Sequence, residues 1–578
     1  MEKLFMQNKN GSALIVALMV TLIIIITASG MIFIASAQNK AINTEVVNTR
    51  TFYAADAGLV QAIKVLRNVT YAQFATPSAS AEAIITGAQD FELNGCVVDL
   101  TSSWENNNTW TLTSKATDKI TGNICEATMA NIRPQSIAEY TSAIEEDMPP
   151  SVVYAGKDPD SGVYEASDMM LGNLFFGGLI NIIRDPVFDG NVVSSASKKS
   201  IRNIFNVYDE DANTNAEGTG LTDIQRAMFA NQYNNGIWDK SVLSENVEDM
   251  KPRYRKIFPN GYEGNSGEID NTQDVVASFA EILNPTTRPS AVKNPYIIDI
   301  EASDDIKITF GDGWVKVDPK PQNWQYSNKP FGDGHSRNAI LIRGASTEIN
   351  RVAIMESTIS GNITLMTEHA DIEILGDIKY KKLIPLYNSA INSCGSVNVG
   401  NWWAPNYVDA IYPWANNAQN IKDLGLALQN SNSTSNFGCI AENGNVWLGK
   451  ELLFDWADIY GVTLLSGTFY APNGKFGARD ITDNGATEFG TINDWFKPND
   501  KSVLTRIVVL GSALMKSIGM YRNSDNTRGF EGTFCNDYRQ SVDGLFPAAF
   551  KPLRTSDGWI FNEDLTRWSY SYTSNCNN

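Results

Sequence analysis

A loop near residue 210 carries an oxygen-bearing side chain at every second position, which is the spacing with which a short loop wraps a hard cation such as calcium. It departs from the EF-hand pattern, because Thr214 stands where a glycine makes the turn and Gly220 stands where a bidentate glutamate is needed. A plain acidic turn is the commoner structure for such residues, so calcium binding and an ordinary turn both remain open. The candidate ligands are Asp209, Asp211, Asn213, Asn215 and Glu217.

Acid and base chemistry has few candidate residues. The only histidines are His335 and His369, which are far apart in the sequence, and neither a Gly-x-Ser-x-Gly elbow nor a Gly-rich nucleotide fingerprint is present. Carboxylates alone can cleave glycosides, and Asp371, Glu373 and Asp377 would line one face of a strand ladder, although acidic rims are ordinary on such folds. We therefore predict no catalytic residues and no enzymatic activity.

A second candidate site is a short loop crowded with large aromatic residues. Exposed rings on a polar loop would suit stacking on a glycan or contact with a protein partner. Buried rings would be the core of an insertion, which is the default for rings so close together. The five residues are Trp402, Trp403, Tyr407, Tyr412 and Trp414.

The chain begins with an element that predicts its location. No charged residue occurs between Lys9 and Lys40, and the run from Ser12 to Ala37 is apolar on every face. As a helix, these residues would be nearly 40 Å long at about 1.5 Å per residue, enough to cross a hydrocarbon layer of roughly 30 Å. We predict a single membrane-spanning helix.

The helical pattern continues beyond the apolar run and becomes amphipathic. A secretory signal peptide is the alternative, but its apolar segment is usually only about 7 to 15 residues long and is not followed by further helix. Apolar residues recur here at helical spacing among polar ones. They are Ala41, Val46, Phe52, Ala55, Leu59, Ile63 and Leu66.

The first 66 residues resemble the amino-terminal region of PilX-type minor pilins and other type IV pilin-like proteins. The resemblance rests on the basic leader that ends at Gly11, the apolar helix that follows it, and the segment FYAADAGLVQAI at 52–63. It implies that a prepilin peptidase cleaves between Gly11 and Ser12 and methylates the new Ser12 amine. It also implies assembly with other pilin subunits through the helix, an inner-membrane location before assembly, and an extracellular pilus or secretion filament afterwards.

One position departs from the family pattern. Major pilins usually have a glutamate four residues after the cleavage site, where this chain has Val16, and that glutamate is thought to pair with the amine of a neighbouring subunit. An unpaired carboxylate would be costly inside a membrane, so its absence removes both a cost and a docking contact. K-type pseudopilins of type II secretion lack it similarly, so the resemblance favours a position at the filament tip, as an initiator or adhesin.

Composition limits the remaining possibilities. The chain has 578 residues, which suggests two to four domains, and a formal net charge of −19 without any cluster of basic residues. Phosphate neutralisation would need such clusters, so we expect no nucleic-acid partner. A membrane-anchored, carbohydrate-active β-helix hydrolase or lyase is the alternative function.

The six cysteines favour local disulfides, because the count is even, the bulk of the chain follows an export-type helix, and no Cys-x-x-Cys spacing suggests a metal. Nearest-neighbour pairing is one arrangement among several that the sequence allows. If a strand separated the first two cysteines, their Cα atoms would be too far apart to bridge. The predicted pairs are Cys96 with Cys125, Cys394 with Cys439, and Cys535 with Cys576.

Strand signals dominate the rest of the chain, so the predicted fold class is α+β. Three alternating segments, CVVDLT, TWTLTSKATD and ICEATMANIR, predict a small antiparallel sheet, and later short strands separated by Gly, Asn and Asp fit either a parallel β-helix or an irregular sandwich. The predicted domains are a leader (1–11), a helix (12–66), a small sheet domain (67–140), a β-rich domain (141–522) with a helical insertion (201–292) and an aromatic insertion (400–436), and a carboxy-terminal cap (523–578).

Overall fold

The computed structural model describes about two thirds of the chain. The described residues are 2–67, 91–105, 109–133, 135–146, 148, 152, 154–155, 168–176, 180–183, 186–189, 192–194, 205–208, 275–300, 305–344, 351–394, 396–398, 407–409, 414–449, 452, 462–479, 503–519, 521, 528–541, 545–551, 554–555, 558–559 and 567–573.

The described helices are few, and one of them is far longer than the rest. They are α1 (Glu2–Arg67), a 3-10 helix (Ile137–Glu139), α2 (Phe279–Leu283), α3 (Leu383–Cys394), α4 (Ala418–Asn430) and α5 (Tyr538–Ser541).

Strands make up most of the remainder. The first group is β1 (Phe91–Leu93), β2 (Cys96–Glu105), β3 (Thr109–Asp118), β4 (Ile124–Ile132), β5 (Ser142–Ile144), β6 (Tyr154–Ala155), β7 (Met169–Leu171), β8 (Leu174–Phe176), β9 (Ile180–Ile183), β10 (Val187–Asp189), β11 (Val192–Ser194) and β12 (Phe205–Tyr208). The second group is β13 (Tyr296–Asp299), β14 (Ile306–Gly311), β15 (Trp314–Asp318), β16 (Asn328–Pro330), β17 (Ala339–Arg343), β18 (Arg351–Ile354), β19 (Ser357–Ile359), β20 (Asn362–Thr367), β21 (Asp371–Ile374) and β22 (Ile378–Tyr380). The third group is β23 (Ser396–Asn398), β24 (Tyr407–Asp409), β25 (Asn436–Ala441), β26 (Val446–Leu448), β27 (Val462–Ala478), β28 (Val503–Ile518), β29 (Arg528–Cys535), β30 (Arg554–Thr555), β31 (Gly558–Trp559) and β32 (Arg567–Thr573).

The chain divides into two compact units, one of Met1–Arg133 with Asn562–Asn578 and the other of Pro134–Phe561. In the first unit, α1 packs on an antiparallel sheet with the strand order β1-β2-β3-β4-β32. Buried and half-exposed residues alternate along β3 and β4, as expected for strands with one face on a core. The predicted fold class, with a long amino-terminal helix and a small antiparallel sheet before a mostly-β domain, is confirmed.

The second unit is built largely from short strands that pair in parallel with the next coil of the chain. One such row runs β13-β17-β20-β25-β27-β28-β5-β8-β11, and every pairing in it is parallel. A second row runs β14-β18-β21-β26-β27, and a third runs β19-β22-β27-β28-β29-β7-β10. Side chains between the rows form one continuous apolar cluster.

Three strands of the first row, β17, β20 and β25, are buried on both faces, which explains their nearly unbroken apolar sequences. Their inner face joins the main core, and their outer face packs in a second cluster with α2 and the segment around residues 548–550. This second cluster includes Leu341, Met366, Ile440 and Leu514.

The order of the coils is not the order of the sequence. β5 pairs with β28, and β7 pairs with β29, so the first strands of this unit stack directly on its last strands. Residues 523–578 do not form the terminal cap that the sequence predicts. β29 lies inside the stack, and β32 completes the sheet of the first unit by pairing with β4.

Candidate functional site: the amino-terminal helix

The first part of α1 is apolar and uncovered. Large side chains from Leu14 to Ile34 are between 50% and 75% exposed, and the helix from Ala13 has a mean hydropathy of 2.7 over its most apolar window. By length and composition this helix is able to cross a membrane, a test that a signal sequence also passes.

The predicted processing site lies within the same helix. Gly11 and Ser12 are inside α1, which begins at Glu2, so the leader and the apolar run form one continuous helix. Val16 is 57% exposed on the apolar part. The cleavage, the methylation and the docking consequence of Val16 stay predictions.

The second part of α1 packs on the sheet through small residues. Ala54, Ala55 and Leu59 are fully buried, and a Cβ built on Gly58 would lie 2.0 Å from Ser114 Oγ. Only a residue without a side chain permits this approach of helix to strand. The Ala-Ala-Asp-Ala-Gly-Leu segment is therefore the contact surface of the helix.

Polar contacts fix the position of the helix along the sheet. Arg50 forms an ion pair with Asp118, which also accepts hydrogen bonds from the backbone amides of Ile120 at 3.0 Å and Thr121 at 2.8 Å. Burial opposes ionisation of Asp118, but these hydrogen bonds and the one from Arg50 outweigh it and hold the pKa of Asp118 below its usual value. The ion pair and the buried small residues together set one register of α1 on the sheet.

β32 contributes an aromatic contact to the same segment. The ring of Tyr570 lies 4.9 Å from that of Phe52, and the Tyr570 hydroxyl donates a hydrogen bond to Asp56 at 3.3 Å. Sequence reasoning missed this contact, because nothing near residue 570 indicates a partner at residue 52.

An apolar stripe remains uncovered on the opposite face of the helix. Ile42, Val46, Tyr53 and Val60 are 56%, 57%, 60% and 59% exposed, and at about 100° per residue they fall on one line roughly opposite Ala55 and Leu59. Successive members are four or seven residues apart, which is the spacing of a helix that packs against another helix. This stripe was readable from the sequence but was not singled out there.

The other predicted site residues are only partly described. The calcium candidates Asp209, Asp211, Asn213, Asn215 and Glu217 lie outside the described residues, as do Trp402, Trp403 and Tyr412. Tyr407 lies in β24, and nothing further is described of its side chain. Trp414 packs partly buried against the main core, 6.3 Å from the ring of Tyr387, as expected for a core residue of an insertion.

The predicted first disulfide is wrong. Cys96 is a buried free thiol on β2, whereas Cys125 lies on β4, and β3 separates the two strands. Cys439 and Cys535 are also buried free thiols, which contradicts their predicted pairing with Cys394 and Cys576. Burial raises the pKa of the Cys535 thiol to about 12, so this thiol is poorly reactive.

The three carboxylates considered for catalysis all have structural partners. Asp371 accepts hydrogen bonds from Asn445 and from the indole of Trp447 at 2.9 Å. Glu373 lies between Arg351 and Arg479, at 2.9 and 3.0 Å. Asp377 accepts a hydrogen bond from the backbone amide of Leu464 at 2.9 Å and forms an ion pair with Lys379. The absence of enzymatic activity stays a prediction, and no metal-holding group of His, Cys, Asp and Glu occurs among the residues that the structure describes.

Glu145 gives the second unit a pH-dependent stability. Burial raises its pKa to about 7, Lys516 opposes the shift and Glu146 adds to it, while the buried Oε2 atom has no hydrogen-bond partner. A carboxyl whose pKa is higher in the folded state than its usual value of about 4.3 destabilises the fold increasingly as the pH rises from that value to about 7.

We expect Glu145→Gln to raise the free energy of unfolding by on the order of 1 kcal/mol above pH 7, because solvent screens this partly exposed group, and to change it little at pH 4. Thermal unfolding between these pH values measures the difference. The control is Glu146→Gln, which removes a half-exposed partner of Lys516. Equal effects of Glu145→Gln at both pH values would contradict the expectation.

Comparisons with known proteins give little further information. No family model matches the chain, and no curated protein matches it. Among solved structures, the crystal structure of the competence-associated pilin ComZ from Thermus thermophilus aligns over 91% of this chain and 98% of its own, with a TM-score of 0.30 and 9% identity. A TM-score this low carries no conclusion about fold or function.

Proposed function

We propose that this chain is a minor pilin-like structural subunit without enzymatic activity, related to the PilX type. The observation that supports the proposal most is α1 itself. Its first part is exposed and apolar, and its second part packs on an antiparallel sheet through one face only. A helix that served only as a membrane anchor would need no continuation of this kind.

The uncovered stripe gives the helix a second contact surface in addition to the one on the sheet. The sheet covers the face with Ala55 and Leu59, while Ile42, Val46, Tyr53 and Val60 remain exposed beyond the membrane-length run. Other subunits that present the same kind of helix would cover the stripe. In this proposal the prepilin peptidase cleaves after Gly11 and methylates Ser12, and the subunit passes from the inner membrane into a pilus or secretion filament.

The proposal includes a position at the tip, as initiator or adhesin. Val16 supplies no carboxylate for the amine of a subunit above it, whereas the Ser12 amine remains available to the subunit that follows. The second unit, Pro134–Phe561, is also large for a lateral place in a packed shaft. Both features favour the end of a filament.

The test is to isolate surface filaments and to examine the chain within them. We expect mass spectrometry to find a methylated amino terminus at Ser12, and immunogold against the second unit to label filament ends. An intact Met1, or cleavage far from Gly11, would overturn the pilin-like assignment. Label along the shaft would overturn only the tip position.

Paired variants test the stripe in the same filaments. Val46→Asp places a charge on the stripe, so we expect incorporation to fall at least tenfold. Asn43→Asp adds the same charge to an exposed position on the same helix but off the stripe, and incorporation should remain close to that of the unmodified chain. Equal incorporation of both variants would show that the stripe does not contact other subunits.

A further inference from the structure

An exposed face occurs where β15 and β16 extend β14 as antiparallel strands. Val315 and Val317 of β15 are fully buried, while Trp314, Lys316 and Asp318, which alternate with them, are exposed. The strict alternation shows that the inner face of β15 packs against the core. Trp314 is thus a large aromatic side chain left on the outer face of a well-packed sheet.

The indole of Trp314 is held flat by its cross-strand neighbour. Gly311 pairs with Trp314, and a Cβ built on Gly311 would lie 2.1 to 2.5 Å from three atoms of the indole. The ring therefore covers Gly311 and turns its other face outward, with 40% of the residue exposed. A side chain at position 311 would displace the ring.

Two exposed lysines and one exposed aspartate share the face with this ring. Lys316 pairs across the strands with Thr309 on one side and Asn328 on the other, and both Lys316 and Lys307 are exposed. Neither lysine side chain forms an ion pair or hydrogen bond with another described residue. Asp318, which pairs with Lys307, is the acidic side chain on this face.

The side chains on this face suit one class of ligand. The Cα atoms of residues two apart on a strand are about 7 Å apart, so the long Lys316 side chain can reach the carboxylate of a sugar ring that stacks on Trp314. Aromatic rings bind the apolar faces of such sugars, and Asn328 and Thr309 offer hydrogen bonds to hydroxyl groups.

We propose that this face binds an acidic polysaccharide, with a hexuronate ring stacked on Trp314 and its carboxylate paired with Lys316. Gly311 positions the indole, and Asn328 hydrogen-bonds a hydroxyl group of the sugar. The inference gives a ligand class to the adhesive role proposed above and rests on that role only for its biological setting. The binding itself requires neither processing at Gly11 nor assembly into a filament.

The test measures binding of the purified full-length chain in detergent to a trigalacturonate, with the neutral galactotriose as the matched sugar. Calorimetry should show at least tenfold tighter binding of the acidic trisaccharide, and added salt should reduce the difference. Trp314→Ala should weaken binding at least tenfold. Gly311→Ala, which keeps the indole but moves it, should weaken binding by a similar factor.

Lysine variants separate the acidic sugar from other ligands. Lys316→Gln should weaken binding of the acidic trisaccharide about fivefold and leave the neutral one unchanged. Lys381→Gln removes an exposed lysine from its ion pair with Asp312 and should change neither. Equal affinity for both sugars, no binding of either sugar, or no effect of Trp314→Ala on a folded protein would overturn the proposal, whatever the outcome of the filament experiment.

Discussion

Replacing Arg506 by methionine is expected to lower the free energy of unfolding of the second unit by about 3 to 5 kcal/mol. Arg506 and Glu531 are 0% and 1% exposed, and a guanidinium nitrogen lies 3.2 Å from the carboxylate across the paired strands β28 and β29. Arg506 also donates a hydrogen bond to Thr533. Without Arg506, the Glu531 carboxylate would remain buried with its main countercharge removed.

Guanidinium unfolding of the full-length chain measures this loss, and an exposed ion pair provides the control. Lys381 and Asp312 are 2.7 Å apart with both side chains about half exposed, so Lys381→Met should cost about 0 to 1 kcal/mol. Arg506→Met combined with Glu531→Leu should recover most of the loss, because no buried charge remains. An effect of Arg506→Met as small as that of Lys381→Met would contradict this account.

The second large effect is expected at Gly58. Leucine at this position would collide with Ser114 and Val98, because a Cβ alone would lie 2.0 and 2.7 Å from atoms of these side chains. Moving α1 away from the sheet would expose the fully buried Ala55 and Leu59. We expect a loss of about 2 to 3 kcal/mol in the packing of the first unit.

Gly30 provides the matched position in the same helix, since nothing lies within 4 Å of a Cβ built there. Leucine has a higher helix propensity than glycine at both positions, so only the contact with the sheet distinguishes the two variants. Hydrogen exchange of the β2, β3 and β4 amides should accelerate in Gly58→Leu and stay unchanged in Gly30→Leu. Equal protection in both would show that the helix does not depend on this close contact.

Local patterns predicted the local elements of the first unit. The segments CVVDLT, TWTLTSKATD and ICEATMANIR, with their alternating Thr and Val residues, correspond to β2, β3 and β4. The amino-terminal helix was predicted to end at residue 66 and ends at Arg67. β32 was missed as a member of this sheet because its partner β4 precedes it by more than 400 residues. No periodicity within a segment reports a pairing across such a distance.

The parallel stacking was suspected from the sequence, but its period was not measurable. The physical reason is visible in one row of paired residues. Ala339 pairs with Thr364, 25 residues later, but Thr364 pairs with Gly438, 74 residues later, since α3, β23, β24 and α4 intervene. Because the intervals between paired residues are so unequal, the repeat is visible in the sequence only as recurring Gly and Asn residues at the turns between strands.

The partners of the candidate carboxylates could not be predicted from the sequence. Asp371 and Glu373 were correctly predicted to lie on one face of a strand ladder. The hydrogen bond from Trp447 to Asp371 and the ion pair of Arg479 with Glu373 come from coils about 75 to 105 residues later in the sequence. Trp314 was not among the site residues predicted from the sequence. Its exposure depends on Gly311 beside it, and the significance of that glycine appears only when the two strands are paired.

The stacking of β5 on β28 has a consequence for how the chain is made. Ser142 pairs with Ala513, 371 residues later, and at about 5 to 20 residues per second the ribosome needs roughly 20 to 75 s to supply that partner. Until then β5 and β7 each present one unpaired strand edge, which is a template for pairing with other chains. The middle of the finished stack is therefore the last part to form during synthesis. Any delay or truncation before residue 535 leaves β5 or β7 without its late partner strand.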